Sequence, residues 1–215
     1  MISRIHISAI VFLAAVILTS LLIADGITLK MSWLRYPSIV ISFLLILLGA
    51  FDMWLWRLRI FRNWFVNRPD ISGTWQVIIQ SDWINPKTGK GIDPFEGYMA
   101  VHQTFSSLSM RLMTDEMNSE LIGSEIIHSP DRDFRIAAIY RSEPHISLRH
   151  QSPIHNGAFL LHIIGTPVSG FNGHYWTDRS TMGQLRTIGH RKEVFHDFQA
   201  AKSAFGSEDT VENNG

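Results

Sequence analysis

The stretch Gly170 to His190, GFNGHYWTDRSTMGQLRTIGH, concentrates residue types suited to holding a small anion that also carries flat rings. Tyr175 and Trp176 stand side by side, and the hydroxyls of Thr177, Ser180 and Thr181 surround Arg179. A guanidinium pairs bidentately with phosphate, and an aromatic side chain stacks on a nucleobase for roughly 1–3 kcal/mol per base. Read at strand period two, Phe171, Gly173, Tyr175 and Thr177 share one face, and Asn172, His174, Trp176 and Asp178 the other. One of the two neighbouring aromatics therefore faces inward; Tyr175, on the face of Gly173 and Thr177, is the choice. Asp178, Arg179 and Ser180 form a hairpin connection, and Thr181 to Ile188 run back as a second strand. Gly173 and Gly183, inside strand patterns, mark a bulge, a bend or a close approach of another group. The same spacing also fits a hairpin that merely closes a small barrel, with Arg179 capping its bottom over Trp75. Short motifs alone leave both readings open.

Elsewhere the chain adds Tyr140 as a further ring, Arg149 as a second guanidinium and Thr114 as a hydroxyl donor. Trp75, in Gly73-x-Trp75, suits the plug of a closed barrel end and is kept as a candidate ring. Other chemistries have less support. His145, His150 and His155 are spaced by five, and no compact His/Glu grouping places metal ligands on one element. Ser106, Ser107 and Ser109 lack the Gly-x-Ser-x-Gly context of a nucleophile, and no phosphate-cradling Gly-x-x-x-x-Gly-Lys-Ser/Thr run occurs. Asp115-Glu116 reads as a turn. Recognition remains, with no catalytic residue, metal or cofactor assigned.

The elements that must position these residues follow from patterning. From Ser72 to Gln80 the chain alternates, with Trp75, Val77 and Ile79 on one face, as a half-buried strand does. Further strand-like runs occupy about 97–105, 108–115, 119–128, 133–141, 145–151 and 157–166. Ser129-Pro130-Asp131 and Asn156-Gly157 read as turns between them. About eight short strands without a long helical period favour a small closed antiparallel barrel, whose interior is either filled or holds one small ligand. A short amphipathic helix is expected at 194–204, to plug or flank the barrel, and Ser207 to Gly215 as a disordered acidic tail.

Charge and hydropathy divide the chain. The formal net charge is zero. Residues 57–68 carry Arg57, Arg59, Arg62 and Arg68 without an acid, whereas 69–215 hold 12 Lys or Arg against 17 Asp or Glu. An acidic domain with no basic stripe argues against long nucleic acid as a partner. There is no cysteine, so disulfides and thiolate metal sites are excluded. Ile5 to Ala24 is apolar apart from His6, Ser8, Thr19 and Ser20, and as a helix would be about 30 Å long, the thickness of a bilayer core. It is longer than a signal-peptide core and lacks a clear cleavage site. A second run, about 37–56, opens at Pro37 and ends in Trp54, Trp56, Arg57, Arg59, Arg62 and Trp64, the composition of a cytoplasmic membrane boundary. The domain expectation is a transmembrane hairpin with a basic juxtamembrane segment over 1–68, a cytoplasmic barrel over 69–206 and a tail over 207–215. The N-terminus and the barrel then share the cytoplasmic side. Asp52 reads as an interfacial carboxylate near Arg57 or Arg59, or as a polar contact between protomers.

Two N-terminal apolar runs, Ile71-x-Gly73-x-Trp75, Leu112-x-Thr114, Tyr140, His155-x-Gly157 and Gly173-x-Tyr175-Trp176-Thr177-Asp178-Arg179-x-Thr181-x-Gly183 together resemble a known family. It is that of the two-transmembrane β-barrel effectors of bacterial CBASS antiphage systems, CD-NTase-associated proteins with a lipocalin-like barrel and functional analogues of STING. The resemblance implies that the barrel binds a cyclic dinucleotide made by a cognate CD-NTase. It further implies that binding drives homo-oligomerisation and disruption of the bacterial inner membrane. Arg141 to Ser152 is richer in His and Arg than the family pattern, which bears on Arg149 as a phosphate contact. The rival readings are a membrane-tethered lipocalin-like carrier of a small apolar ligand and a structural adaptor with a solid barrel.

Overall fold

The computed structural model describes residues 12, 14–17, 19–20, 23, 35–61, 65–84, 88–129 and 133–212. It divides into two compact units: Met1–Asn67 with Thr104–Ser107, and Arg68–Gln103 with Leu108–Gly215.

In the first unit, helix α1 runs over Arg35–Met53. Its consecutive apolar residues Phe43, Leu44, Leu45, Ile46 and Leu47 are all exposed, so the apolar surface goes round the helix instead of forming one stripe. Among the described residues no helix is long and apolar enough to cross a membrane. The expected first span, 5–24, the loop that follows it, and Arg62 and Trp64 fall largely or wholly outside the described residues. Asp52 is buried. It accepts hydrogen bonds from the Ser106 amide at 2.8 Å and the Thr104 hydroxyl at 3.4 Å, while its own carbonyl accepts from the Phe105 amide at 2.9 Å. This carboxylate organises the Thr104–Ser107 segment.

The second unit is the expected barrel. Its strands are β1 Gly73–Ser81, β2 Phe95–Gln103, β3 Leu108–Met113, β4 Met117–His128, β5 Phe134–Pro144, β6 His155–Ile164, β7 Gly170–Thr177 and β8 Met182–Arg191. Each pairs antiparallel with the next, and β1 with β8, so the sheet closes in sequence order. Closure removes the unpaired edges an open sheet would present. Register shifts at Gln76/Val77 and at Leu121/Gly123 bend the wall.

Three local expectations are corrected. Residues 145–151 hold a short 3-10 turn, Ile146–Leu148, and no strand. Asn156-Gly157 is not a turn: both residues lie inside β6, where tertiary pairing overrides the local turn preference. The C-terminal helix, α2, is Phe198–Glu212 and takes in much of the segment expected to be a tail. It flanks the barrel instead of plugging it, because Ala201 and Phe205 bury Tyr98, Ala100 and Met113 on the outer face of β2 and β3.

One end of the barrel is filled by Ile71, Trp75, Val77, Ile136, Leu161 and Phe171. Trp75 packs its ring 4.7 Å from Phe171 and 3.9 Å from His190, and its indole N–H donates to the Ile71 carbonyl at 2.9 Å. The other end is open.

A candidate ligand cup in the open end of the barrel

Inward positions form successive rungs that grade from polar at the mouth to apolar at the floor. Register places Ser119 beside Ser142 and Ser142 beside His155 across β4, β5 and β6. One rung deeper come Leu121, Tyr140, Gly157 and Thr177, then Ala138, Phe159, Tyr175 and Gly183. Below them Ile136, Leu161, Gly173 and Leu185 begin the floor. The space enclosed is a cavity of about 810 Å³, within the range of roughly 300–1,000 Å³ usual for small-molecule sites.

Two tyrosines owe their positions to glycines on the next strand. A Cβ at Gly157 would collide with Tyr140 Cζ and Oη and lie 2.7 Å from the Trp176 carbonyl. One at Gly183 would lie 2.6 Å from Tyr175 Cε1 and Oη. Each ring therefore rests on a side-chain-free patch of wall, and Tyr140 also stacks on Phe159 with centroids 6.0 Å apart. Burial, with the nearby Tyr175 and Asp178 adding and Arg179 opposing, keeps the Tyr140 phenol far above the usual tyrosine range. Burial also raises Tyr175, against a hydrogen bond to Ser81 that lowers it. Both rings are neutral at physiological pH and offer apolar faces with a hydroxyl tip. Gly157→Ala should displace Tyr140 and lower stability by about 1–3 kcal/mol, the usual cost of overpacking, with a lower melting temperature as the readout. A melt identical to the parent would show that Tyr140 does not depend on this seat.

The β7–β8 turn sets Arg179 at the mouth. Thr177 and Thr181 hydroxyls pair at 2.6 Å, and the Arg179 amide donates to Thr177 Oγ1 at 3.3 Å. Ser180 takes φ 57, which lets the connection turn tightly. On the other side Asp178 accepts from the Asn156 amide at 3.0 Å. Exposed Arg179 donates to Ser152 Oγ at 3.0 Å, which aims it across the opening. Arg179 thus lies at the end of the barrel opposite Trp75, and the capping of Trp75 by Arg179 is ruled out.

Of the residues expected to bind, Tyr140, Tyr175, Thr177, Arg179, Thr181 and Thr114 line the cavity. Thr114 and the Thr177–Thr181 pair work mainly as braces: the Thr114 hydroxyl lies 3.2 Å from the Met117 carbonyl and accepts from the Met117 amide at 3.1 Å. Trp75 belongs to the closed floor, with 1% of its surface exposed. Trp176 faces outward, half-exposed and tilted against His174 with ring centroids 5.9 Å apart, because strand alternation cannot turn two neighbours the same way. Arg149 donates to the Pro144 carbonyl at 3.1 Å and stays outside the cavity.

Ser119, Ser142, Ser152, His155 and Phe159 also line the cup and were not among the expected residues. Ser119 and Ser142 share a short hydroxyl–hydroxyl hydrogen bond. His155 is buried and its Nδ1 lies 3.1 Å from the Pro153 carbonyl. Burial lowers its pKa, opposed by that carbonyl; Arg179 lowers it further and Asp178 opposes. The residue alternation of 155–163 carries the signal for His155 and Phe159, but the local turn preference of Asn156-Gly157 masks it.

Residues 66–188, more than half of the chain, match the family model of the Cap15 cyclic dinucleotide receptor domain. The chain belongs to this family. The Cap15 match takes in β1 through most of β8, hence every cup residue named above. It is also the family that the sequence motifs resemble. Among curated proteins, the CD-NTase-associated protein 15 of Staphylococcus schleiferi is 25% identical over 157 residues, 73% of this chain and 80% of that relative.

Proposed function

We propose that the Cap15 barrel binds a cyclic dinucleotide in its open cup and that the full chain is a non-enzymatic effector of CBASS antiphage defence. The observation that carries the reading is the pairing, in one cavity, of a single projecting guanidinium at the rim with two glycine-seated tyrosines below it. Arg179 suits one phosphate of the ligand, and Tyr140, Tyr175 and Phe159 suit its bases. The apolar lower wall alone would also fit a carrier of a small apolar ligand, but such a ligand has no use for Arg179 and the serine–histidine rung. The messenger is supplied by a cognate CD-NTase.

The N-terminal part is proposed to act as a two-helix anchor in the bacterial inner membrane, over about 5–24 and 37–56, with the barrel in the cytoplasm. The apolar runs, the Arg-rich stretch after the second, and the all-round apolar surface of α1 support this. Ligand drives assembly only if the assembled state binds it more tightly than the monomer; homo-oligomerisation then brings the anchors together and disrupts the membrane.

The test is calorimetric titration of the full chain, in detergent micelles, with 3′–5′-linked cyclic dinucleotides of every pairwise combination of adenine, guanine and uracil. Saturable binding of at least one is expected. Indifference to all of them, with binding of an apolar ligand instead, would replace the sensor by the carrier.

A further inference from the structure

Resting on the reading of the cup as a cyclic dinucleotide site, we infer that His155 is the residue that reads the ribose, accepting a hydrogen bond from the hydroxyl beside the phosphate held by Arg179.

The orientation of its ring is set by chemistry. A carbonyl oxygen only accepts, so the Nδ1 facing Pro153 at 3.1 Å must carry the proton. In the neutral ring Nε2 is then an acceptor. Nε2 has no hydrogen-bond partner among the described residues, and His155, with 6% of the residue's surface exposed, lines the cavity. Nε2 is not among the described polar atoms that are both sealed from solvent and unpartnered, so it opens on the cavity, where a ligand group can replace water as its partner. Ser142 lies beside His155 and Tyr140 one rung below on β5, and the Arg179 and Asp178 charges act on the imidazole. Of these, the Ser142 hydroxyl is engaged with Ser119 and Met117.

Position decides which part of the ligand meets it. His155 lies on the mouth rung, one level above Tyr140 and two above Tyr175 and Phe159. Bases stacked on those rings are therefore deeper. Arg179 occupies the same mouth, tied to Ser152, the residue immediately before the Pro153 whose carbonyl fixes the imidazole. The group next to a phosphate at Arg179 is a ribose. Phosphate oxygens are acceptors and repel the Nε2 lone pair, whereas a free ribose hydroxyl donates to it. In a 3′–5′-linked messenger that group is the 2′-hydroxyl, so His155 confers preference for ribose over deoxyribose and for the linkage that leaves this hydroxyl free.

The experiment titrates the parent, His155→Phe and His155→Asn full-length chains with the same set of 3′–5′-linked cyclic dinucleotides, each as the ribose form and as the bis-2′-deoxy form. Circular dichroism melts run alongside. For the parent the deoxy form should bind roughly 5- to 100-fold more weakly, as expected when an acceptor that the bound ligand shields from water loses its donor. His155→Phe should weaken the ribose form by a similar factor and lose the discrimination. His155→Asn, which keeps an acceptor oxygen, should retain part of it, and supplies the comparison if the Phe variant does not fold. Discrimination that survives in a folded variant without an acceptor overturns the role of His155 while leaving the cyclic dinucleotide site intact, and so does a parent that binds both forms alike. If the parent binds none of the set, the proposed function and this inference fall together.

Discussion

Replacing Arg179 by alanine should weaken cyclic dinucleotide binding roughly 10- to 150-fold, the equivalent of losing a charge-assisted hydrogen bond of about 1.5–3 kcal/mol. The thermal stability should stay the same. The two halves of this result have separate causes. Arg179 is exposed on the β7–β8 turn, and among the described residues the one protein group its guanidinium holds is the rim hydroxyl of Ser152. Water replaces that contact when the side chain is removed, so folding is indifferent. A bound phosphate, by contrast, loses a planar donor fork that no other residue of the mouth rung provides: Ser119, Ser142 and His155 are neutral there. Arg179→Lys should fall between, since lysine keeps the charge without the bidentate geometry. Titration calorimetry at two salt concentrations measures both affinity and its electrostatic part. An Arg179→Ala chain that binds as the parent does would move the phosphate away from the β7–β8 turn.

Trp75→Ala should produce the opposite pattern: a large loss of stability from a residue outside the cavity. Its side chain is 1% exposed, pressed between Phe171 and His190, and it donates the hydrogen bond that satisfies the Ile71 carbonyl. Truncation removes the buried ring, leaves a void and orphans that carbonyl. Large aromatic-to-alanine changes in cores cost about 3–5 kcal/mol, which for a chain of this size lowers the melting temperature by roughly 6–20 °C. Trp75→Phe should lose less, because the ring contacts survive and the indole donor alone is lost. A Trp75→Ala melt within 2 °C of the parent, a margin taken as about the shift expected from less than 1 kcal/mol, would mean that the closed end of the barrel does not depend on this plug.

These two residues show where a one-dimensional reading succeeds. Both stand in motifs with a mechanism. Trp75 alternates with Val77 and Ile79, so period-two burial assigns it to the interior of β1 before any contact is known. Arg179 follows a strand whose inward face carries Tyr175 and Thr177, and a short connection between two antiparallel strands must lie at a barrel end. Patterning of this kind depends only on neighbours along the chain. It is the reason that the eight strands, their antiparallel order and the choice of Tyr175 over Trp176 were legible.

What the linear chain determined, then, was which residues face inward and where strands reverse, because both follow from local backbone geometry. Which end of the barrel each residue occupies was settled by the register in which whole strands pair. That pairing separated Arg179 from Trp75, drew Asn156-Gly157 out of a turn and into β6, and left Arg149 bonded to a carbonyl outside the cup. It also brought Ser119, Ser142 and His155 into one rung from three strands. No spacing rule connects those positions, since register across a sheet is fixed by the closure of the whole barrel and by the bulges that bend it.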